Sequence, residues 1–225
     1  VLLLDEPLSH LDAKLRAAMR AELKSLGELQ HTTSLYVTHD YLEALALGDR
    51  IAVLRQGKLV QVGSPAELWR HPADIFVAEA FGQPRINLVG GATVADRGGV
   101  AFRSDDGEIT IPLGPAAAPP GQQVVLGLRP RDLVVGEQPG LLPIAGRVYV
   151  VEPLDRQYEV TVQVGAHRIA AVTPNEGIVP DSLLTLSARP DRLHLFDAAT
   201  GRLPLEPVPA SPNGSATTEA EASHA

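Results

Sequence analysis

The chain begins with VLLLDEPLSHLD, residues 1–12, and this stretch decides how the first part of the sequence folds. Its apolar run leads directly into Asp5 and Glu6, which predicts a buried strand that delivers acidic groups to the edge of a parallel sheet. Adjacent side chains of a strand point to opposite faces, so the two carboxylates can act together only where the backbone turns. Pro7 favours a turn at this point, because proline cannot extend a ladder of backbone hydrogen bonds.

Two adjacent carboxylates leave two interpretations open. At the edge of a sheet, one carboxylate can hold Mg²⁺ or its waters while the other orients a water molecule for attack on a phosphate. The alternative is an exposed acidic turn after a core strand, because short motifs of this kind are common.

Ser9 and Asp12 follow at the spacing of a helix capping box, in which Ser9 would be the N-cap. Apolar side chains then recur at helical spacing, which predicts an amphipathic helix that packs on the core. The apolar stripe comprises Leu11, Leu15, Met19, Leu23, Leu26 and Leu29.

A second buried strand is predicted over residues 34–37, which are rich in β-branched and aromatic side chains. It leads into Thr38, His39 and Asp40. A histidine at the end of a strand can reach a phosphate oxygen or the attacking water. The alternative for a lone histidine is a cap or a hydrogen-bonded polar group of the core.

Together these segments resemble the second half of an ATP-binding cassette (ABC) ATPase. VLLLDEP over residues 1–7 resembles the Walker B strand with its catalytic glutamate, and SHLD over 9–12 resembles the D-loop. VTHD over 37–40 resembles the switch-histidine segment. The three motifs in this order and spacing are far more specific than any one of them alone.

The resemblance implies ATP and Mg²⁺ as cofactors and assigns a role to each motif. Asp5 would act on Mg²⁺ through water, and Glu6 would be the general base or the carboxylate that positions the attacking water. His39 would contact the terminal phosphate. The loop that faces a partner ATPase across a dimer interface would comprise Ser9, Leu11 and Asp12.

The predicted organisation is two domains and a tail. Residues 1–87 are expected to be the C-terminal part of an α/β ABC ATPase domain, a partial P-loop nucleotide hydrolase. Residues 88–203 are expected to form an all-β regulatory domain of the oligomer-binding-fold type (TOBE/MOP). Residues 204–225 predict a disordered tail, because they contain almost no large apolar side chain.

The all-β prediction depends on short apolar stretches separated by turn residues, a pattern typical of a small barrel or sandwich. The expected strands are Val100–Phe102, Glu108–Pro112, Gln123–Leu128, Leu133–Val135, Gly146–Val151, Glu159–Val164, Arg168–Ala171, Leu183–Leu186 and Leu193–Phe196. The sequence over 127–130 resembles the Gly-x-Arg-Pro turn of the regulatory domain attached to sugar-importer ATPases. The stretch over 71–87 resembles the end of the ATPase domain in maltose-type importers.

Composition narrows the possible partners. A net charge of −8 and only 4% aromatic residues argue against nucleic acid. The absence of cysteine fits a reducing compartment and excludes thiolate metal sites. By resemblance, the expected partners are a second ATPase subunit, transmembrane permease subunits and, indirectly, an extracytoplasmic solute-binding protein. These partners would place the protein at the cytoplasmic face of the cell membrane as a peripheral subunit.

The sequence contains no Gly-x-x-x-x-Gly-Lys-Ser/Thr loop, the element that cradles nucleotide phosphates. The family's Gln loop and Ser-Gly-Gly-Gln signature are also missing. We therefore expect a fragment of a longer importer ATPase, inactive by itself, that serves uptake of a sugar. The alternatives are a truncated remnant that acts as a binding module, or an importer of polyamine, iron or sulfate. DNA-maintenance ATPases share these motifs but carry long heptad coiled coils, and none is present here.

Overall fold

The structure, a computed structural model, describes residues 1–30, 33–97, 99–114 and 118–202. The predicted tail over 204–225 lies outside these residues. The described part is mostly β, with four α-helices and fourteen strands.

The first part of the chain places two parallel strands side by side, as predicted. Strand β1 (Leu2–Asp5) pairs with β2 (Ser34–Val37), and Asp5 lies opposite Val37 in the register. Helix α1 (Ala13–Gln30) connects the strands, and helix α2 (Tyr41–Leu47) follows β2. Because parallel strands run in the same direction, the residues after Asp5 and after Val37 leave the sheet at the same edge.

The prediction that β1 and β2 are buried is wrong for this chain. Leu3 is 70% exposed and Leu35 is 60% exposed, although both lie mid-strand. A parallel strand becomes buried only when both faces of its sheet are covered. The described residues form a sheet of just two strands here, which leaves these apolar side chains accessible.

The predicted capping box at the start of α1 is also wrong. Asp12, not Ser9, caps the helix, because its Oδ1 atom accepts the main-chain N–H groups of Lys14 and Leu15, each at 3.0 Å. The predicted core stripe is only partly realised. Leu15 is exposed, whereas Met19 and Leu23 are half-buried.

The next segment consists of a β-hairpin and two capped helices. It comprises β3 (Ile51–Arg55), β4 (Lys58–Gly63), α3 (Pro65–Arg70) and α4 (Ile75–Ala80). Gln56 and Gly57 both have positive φ, as the hairpin turn requires. A capping box begins α3, with reciprocal bonds between Ser64 and Glu67, and Asp74 caps α4.

The remaining described strands form two antiparallel sheets of five strands each. One sheet has the order β14-β8-β5-β6-β7 and the other has the order β12-β11-β10-β13-β9. Their bounds are β5 (Asn87–Asp96), β6 (Gly99–Ser104), β7 (Thr110–Gly114), β8 (Gln123–Leu128), β9 (Leu133–Val135), β10 (Leu142–Leu154), β11 (Gln157–Val164), β12 (His167–Thr173), β13 (Leu183–Ala188) and β14 (His194–Asp197). One apolar core contains buried residues of both sheets, which agrees with the predicted barrel or sandwich.

An internal repeat, which the sequence analysis did not identify, organises this β region. Strand β8, the dipeptide Arg129-Pro130 and β9 are matched sixty positions later by β13, the dipeptide Arg189-Pro190 and β14. A short 3₁₀ turn follows each arginine, closed at 3.0 Å by the N–H of Asp132 in the first copy and of Arg192 in the second. The local fold is therefore built twice from related sequences.

The strand that precedes each copy is held in the same way. In the first copy, the Thr93 carbonyl accepts from the N–H of Gly121, and the Thr93 N–H donates to the Gln122 carbonyl. In the second copy, Val148 makes the same two bonds with Asp181 and Ser182. The two copies then exchange their last strands, because β9 pairs with β13 and β14 pairs with β8.

Arg129 joins the β region to the helices. Its buried guanidinium donates to the carbonyls of Trp69 at 3.0 Å and Phe81 at 2.6 Å, near the ends of α3 and α4. The matching residue of the second copy, Arg189, is exposed and pairs with Asp191 of its own turn. The arginine of the turn therefore binds the helices in the first copy only.

Candidate functional site

Glu6 and His39 meet at the edge where β1 and β2 end. The Nδ1 atom of His39 lies 3.1 Å from Oε1 of Glu6, although the residues are 33 positions apart in the sequence. Both side chains remain accessible to solvent. The structure thus brings together the carboxylate and the imidazole that the sequence analysis singled out.

The backbone turns at Glu6, as the sequence predicted. Glu6 has a φ of 44°, in the left-handed region that glycine favours, and its N–H donates to the Val37 carbonyl at 2.9 Å. A left-handed conformation at a non-glycine residue is costly and often occurs at functional sites. This turn aims the Glu6 side chain at the end of β2.

The pKa of His39 is raised above its ordinary value. The main cause is the hydrogen bond with Glu6, followed by the negative charge of the same carboxylate, and Asp40 and Glu43 add smaller contributions. Because a carboxylate can only accept, the Nδ1 atom of His39 carries the proton in this pair. The second ring nitrogen is then free to face a ligand.

Asp5 is exposed, and its carboxylate makes no side-chain hydrogen bond within the described part of the chain. No group of three or more metal-ligating side chains occurs among residues 1–30, 33–97, 99–114 and 118–202. Mg²⁺ commonly binds through one or two carboxylates together with waters and substrate phosphates. A single free carboxylate at this edge therefore fits such an ion.

The loop over residues 9–12 is held against Glu6. The Ser9 hydroxyl donates to the Glu6 carbonyl at 2.9 Å, and the Leu11 N–H donates to the Leu8 carbonyl at 3.2 Å. Leu8 is buried and anchors the loop, whereas Asp12 caps α1. The structure therefore places Ser9 in contact with Glu6, whereas Leu11 contacts Leu8 and Arg16, and Asp12 contacts the start of α1.

A buried polar cluster beneath His39 was not found from the sequence. Glu43 on α2 is only 3% exposed, and its Oε2 atom accepts from the hydroxyls of Tyr36 at 2.9 Å and Thr38 at 2.8 Å. Burial and the bond to Glu43 raise the pKa of the Tyr36 phenol, which keeps that donor protonated. The one hint in the sequence was the position of Glu43, an acidic residue in a short apolar helix directly after the predicted histidine segment.

Within the residues that the structure describes, no helix combines the length and the apolar character needed to cross a membrane.

Comparison with known proteins gives a consistent set of relatives. The uncharacterized ABC transporter ATP-binding protein y4oS of Sinorhizobium fredii is 39% identical over 203 residues, covering 89% of this chain and 53% of the relative. The xylose/arabinose import ATP-binding protein XacK of Haloferax volcanii is 41% identical over 214 residues, with 89% and 53% coverage. The trehalose/maltose import ATP-binding protein MalK of Thermococcus litoralis is 38% identical over 215 residues, with 90% and 56% coverage.

No family model matches the chain. Among solved structures, the molybdate-bound cytoplasmic molybdate-binding protein ModG aligns with 48% of this chain at a TM-score of 0.42 and 16% identity, covering 94% of that structure.

The chain spans about half the length of the curated relatives it matches. The matched region takes in nearly all of this chain, at 38–41% identity to several ATP-binding proteins of importers. Over about nine-tenths of its length, the chain is similar in sequence to ABC transporter ATP-binding proteins.

Proposed function

We propose that the protein is part of the ATP-hydrolysing subunit of an ABC importer that energises uptake of a sugar or a related solute. The observation that carries this proposal is the 3.1 Å contact between His39 and Glu6 at the shared edge of two parallel strands. The names of the relatives, which include xylose/arabinose and trehalose/maltose import, support a sugar as the solute.

The proposed roles come from the family resemblance, and the positions of the side chains support them. Glu6 accepts a proton from the attacking water or holds that water in line with the terminal phosphate. His39, whose raised pKa favours the protonated ring, donates to the terminal phosphate. Asp5 would hold Mg²⁺ through water, and the ion would neutralise charge on the phosphate oxygens.

The domain assignment and the partners belong to the same proposal. Residues 1–87 serve as the C-terminal part of a P-loop ATPase domain, and residues 88–203 serve as an oligomer-binding-fold regulatory domain of the TOBE/MOP type. The loop with Ser9, Leu11 and Asp12 faces a second ATPase subunit. Permease subunits attach the pair to the cytoplasmic face of the membrane, and a solute-binding protein delivers the cargo outside. Nucleic acid is not a partner.

The decisive variant is Glu6→Gln, assayed in a longer protein that contains this chain together with a phosphate-cradling loop. Loss of a general base lowers turnover by about 10²–10⁴-fold, whereas binding of ATP should persist. Glu22→Gln is the matched control, because Glu22 is an exposed acid on α1. Turnover at the wild-type rate in Glu6→Gln would refute the role of Glu6. The 225-residue chain alone is expected to show no ATPase activity, because its sequence lacks the phosphate-cradling loop.

A further inference from the structure

Arg16 on α1 lies between the two segments that the proposed function places at the nucleotide. Its Nη2 atom donates to the Leu11 carbonyl at 2.9 Å, inside the loop proposed to face a second subunit. Its Nη1 atom lies 3.6 Å from Oδ2 of Asp40, the residue that follows His39. One planar guanidinium therefore touches both the loop and the histidine segment.

The histidine segment is fixed from its other side by Glu43. This buried carboxylate accepts from the Thr38 hydroxyl, and the Thr38 oxygen in turn accepts the N–H of Asp40 at 3.0 Å. The Oε1 atom of Glu43 is 4.0 Å from Nε of Arg16. Asp40 is thus linked to Arg16 directly and Thr38 is linked to it through Glu43, while His39 itself stays exposed.

We propose that Arg16 is a positioning residue that couples the loop over 9–12 to His39, so that a shift of the loop moves the histidine relative to Glu6. This inference rests on the proposed function, because it concerns the same nucleotide-facing edge. Arginine suits the task, because its rigid fork offers donors in several directions, whereas lysine offers a single point charge. The Nε atom of Arg16 is buried and has no hydrogen-bond partner among the described residues, which leaves the contact to Leu11 and the charge on Asp40 as the main restraints.

The test is the pKa of His39, measured by NMR on the 225-residue chain without nucleotide. The charged groups that act on His39 are Glu6, Asp40 and Glu43, and all three raise its pKa. If Arg16 acted only as a nearby cation, Arg16→Gln would raise the pKa of His39 further. If Arg16 positions the segment, the variant separates His39 from Glu6, and the pKa falls toward the free value of about 6.5. The two explanations therefore predict opposite signs.

Lys14→Gln is the matched control, because it removes one cation from an exposed position of the same helix. It should leave the pKa of His39 unchanged or slightly raised. If the NMR amide signals of β1 and β2 disappear in Arg16→Gln, that variant is not folded there, and the pKa of His39 is measured in Arg16→Lys instead. That variant keeps the charge but cannot serve both Leu11 and Asp40, so the pKa should still fall.

An unchanged or higher pKa of His39 in a folded Arg16 variant would overturn the inference. Because the measurement uses no ATP, it stands apart from the proposed function. Normal turnover in Glu6→Gln would remove the ATPase role without altering the pKa result, and an unchanged pKa in the Arg16 variants would leave the ATPase test intact.

Discussion

The guanidinium of Arg129 lies 4.0 Å from the centroid of the Trp69 ring, stacked over the indole. The same group also approaches the Ala78 carbonyl at 3.4 Å, in addition to its shorter bonds to the ends of α3 and α4. Carbonyls in the last turn of a helix lack partners within that helix and attract cations. Burial lowers the pKa of Arg129 to about 10, so the group remains charged at neutral pH.

Arg129→Ala should lower the free energy of unfolding by about 3 kcal/mol. The substitution removes the charged donor and leaves buried carbonyls without a hydrogen-bond partner. Trp69 is the only tryptophan of the chain, so its fluorescence reports directly on the contact. Arg189→Ala removes the matching arginine of the second repeat, which is exposed, and should change stability by no more than about 0.5 kcal/mol. Equal effects of the two substitutions would show that Arg129 does not join the β region to the helices.

The exchange of β9 and β14 predicts that the two repeats unfold together. Leu126 and Leu186 occupy matching positions, and both are fully buried in the shared core. Leu126→Ala and Leu186→Ala should each cost about 2–5 kcal/mol and shift one common transition in denaturant. Two separate transitions in either variant, seen by circular dichroism and by tryptophan fluorescence, would contradict a single cooperative unit.

Sequence patterns that span only a few residues were sufficient to predict much of the fold. The strands predicted over 123–128 and 133–135 have the same bounds as β8 and β9. Alternation, turn residues and caps act over a few positions, so the sequence displays them directly. The parallel arrangement of β1 and β2 was also predictable, because a helix must connect such strands.

Strand β5 was missed because two glycines interrupt its apolar pattern. A Cβ atom at Gly91 would lie 2.2 Å from the Arg103 carbonyl, so close approach of β6 requires glycine at this position. The side chain of Asn87, at the start of the strand, donates to the carbonyls of Leu128 and Ala170 and so links the two sheets. Close backbone approach and bonds between sheets depend on residues far away in the sequence.

The candidate site was predictable only in part. The meeting of Glu6 and His39 follows from strand direction, whereas Arg16 and Glu43 look like ordinary solvent-facing charges of helices. Their burial and contacts depend on how α1 and α2 pack against the end of β2. The exposure of β1 has the same origin, because a strand pattern does not specify what covers the sheet.

Asp155 offers a route to higher stability. It lies in the turn between β10 and β11 with a φ of 53°, in the left-handed region that favours glycine. Its side chain makes no hydrogen bond within the described residues. Asp155→Gly should raise the free energy of unfolding by about 0.5–1 kcal/mol, because glycine adopts this conformation without strain. Arg156→Gly, in the same turn but without a positive φ, should lower it instead, and a loss of stability in Asp155→Gly would contradict the assignment of strain.

His194 should make the protein less stable in mild acid. Burial lowers its pKa to about 4, and the charges of Arg129, His71 and Arg192 add to the effect. The unfolded chain binds a proton near pH 6.5, so stability is full above that value and falls as the pH drops toward 4, by about 3 kcal/mol in all. His194→Phe should flatten this part of the stability curve, measured by denaturant titration at each pH, whereas exposed His10→Gln should not. A slope unchanged by His194→Phe would mean that other groups cause the acid sensitivity.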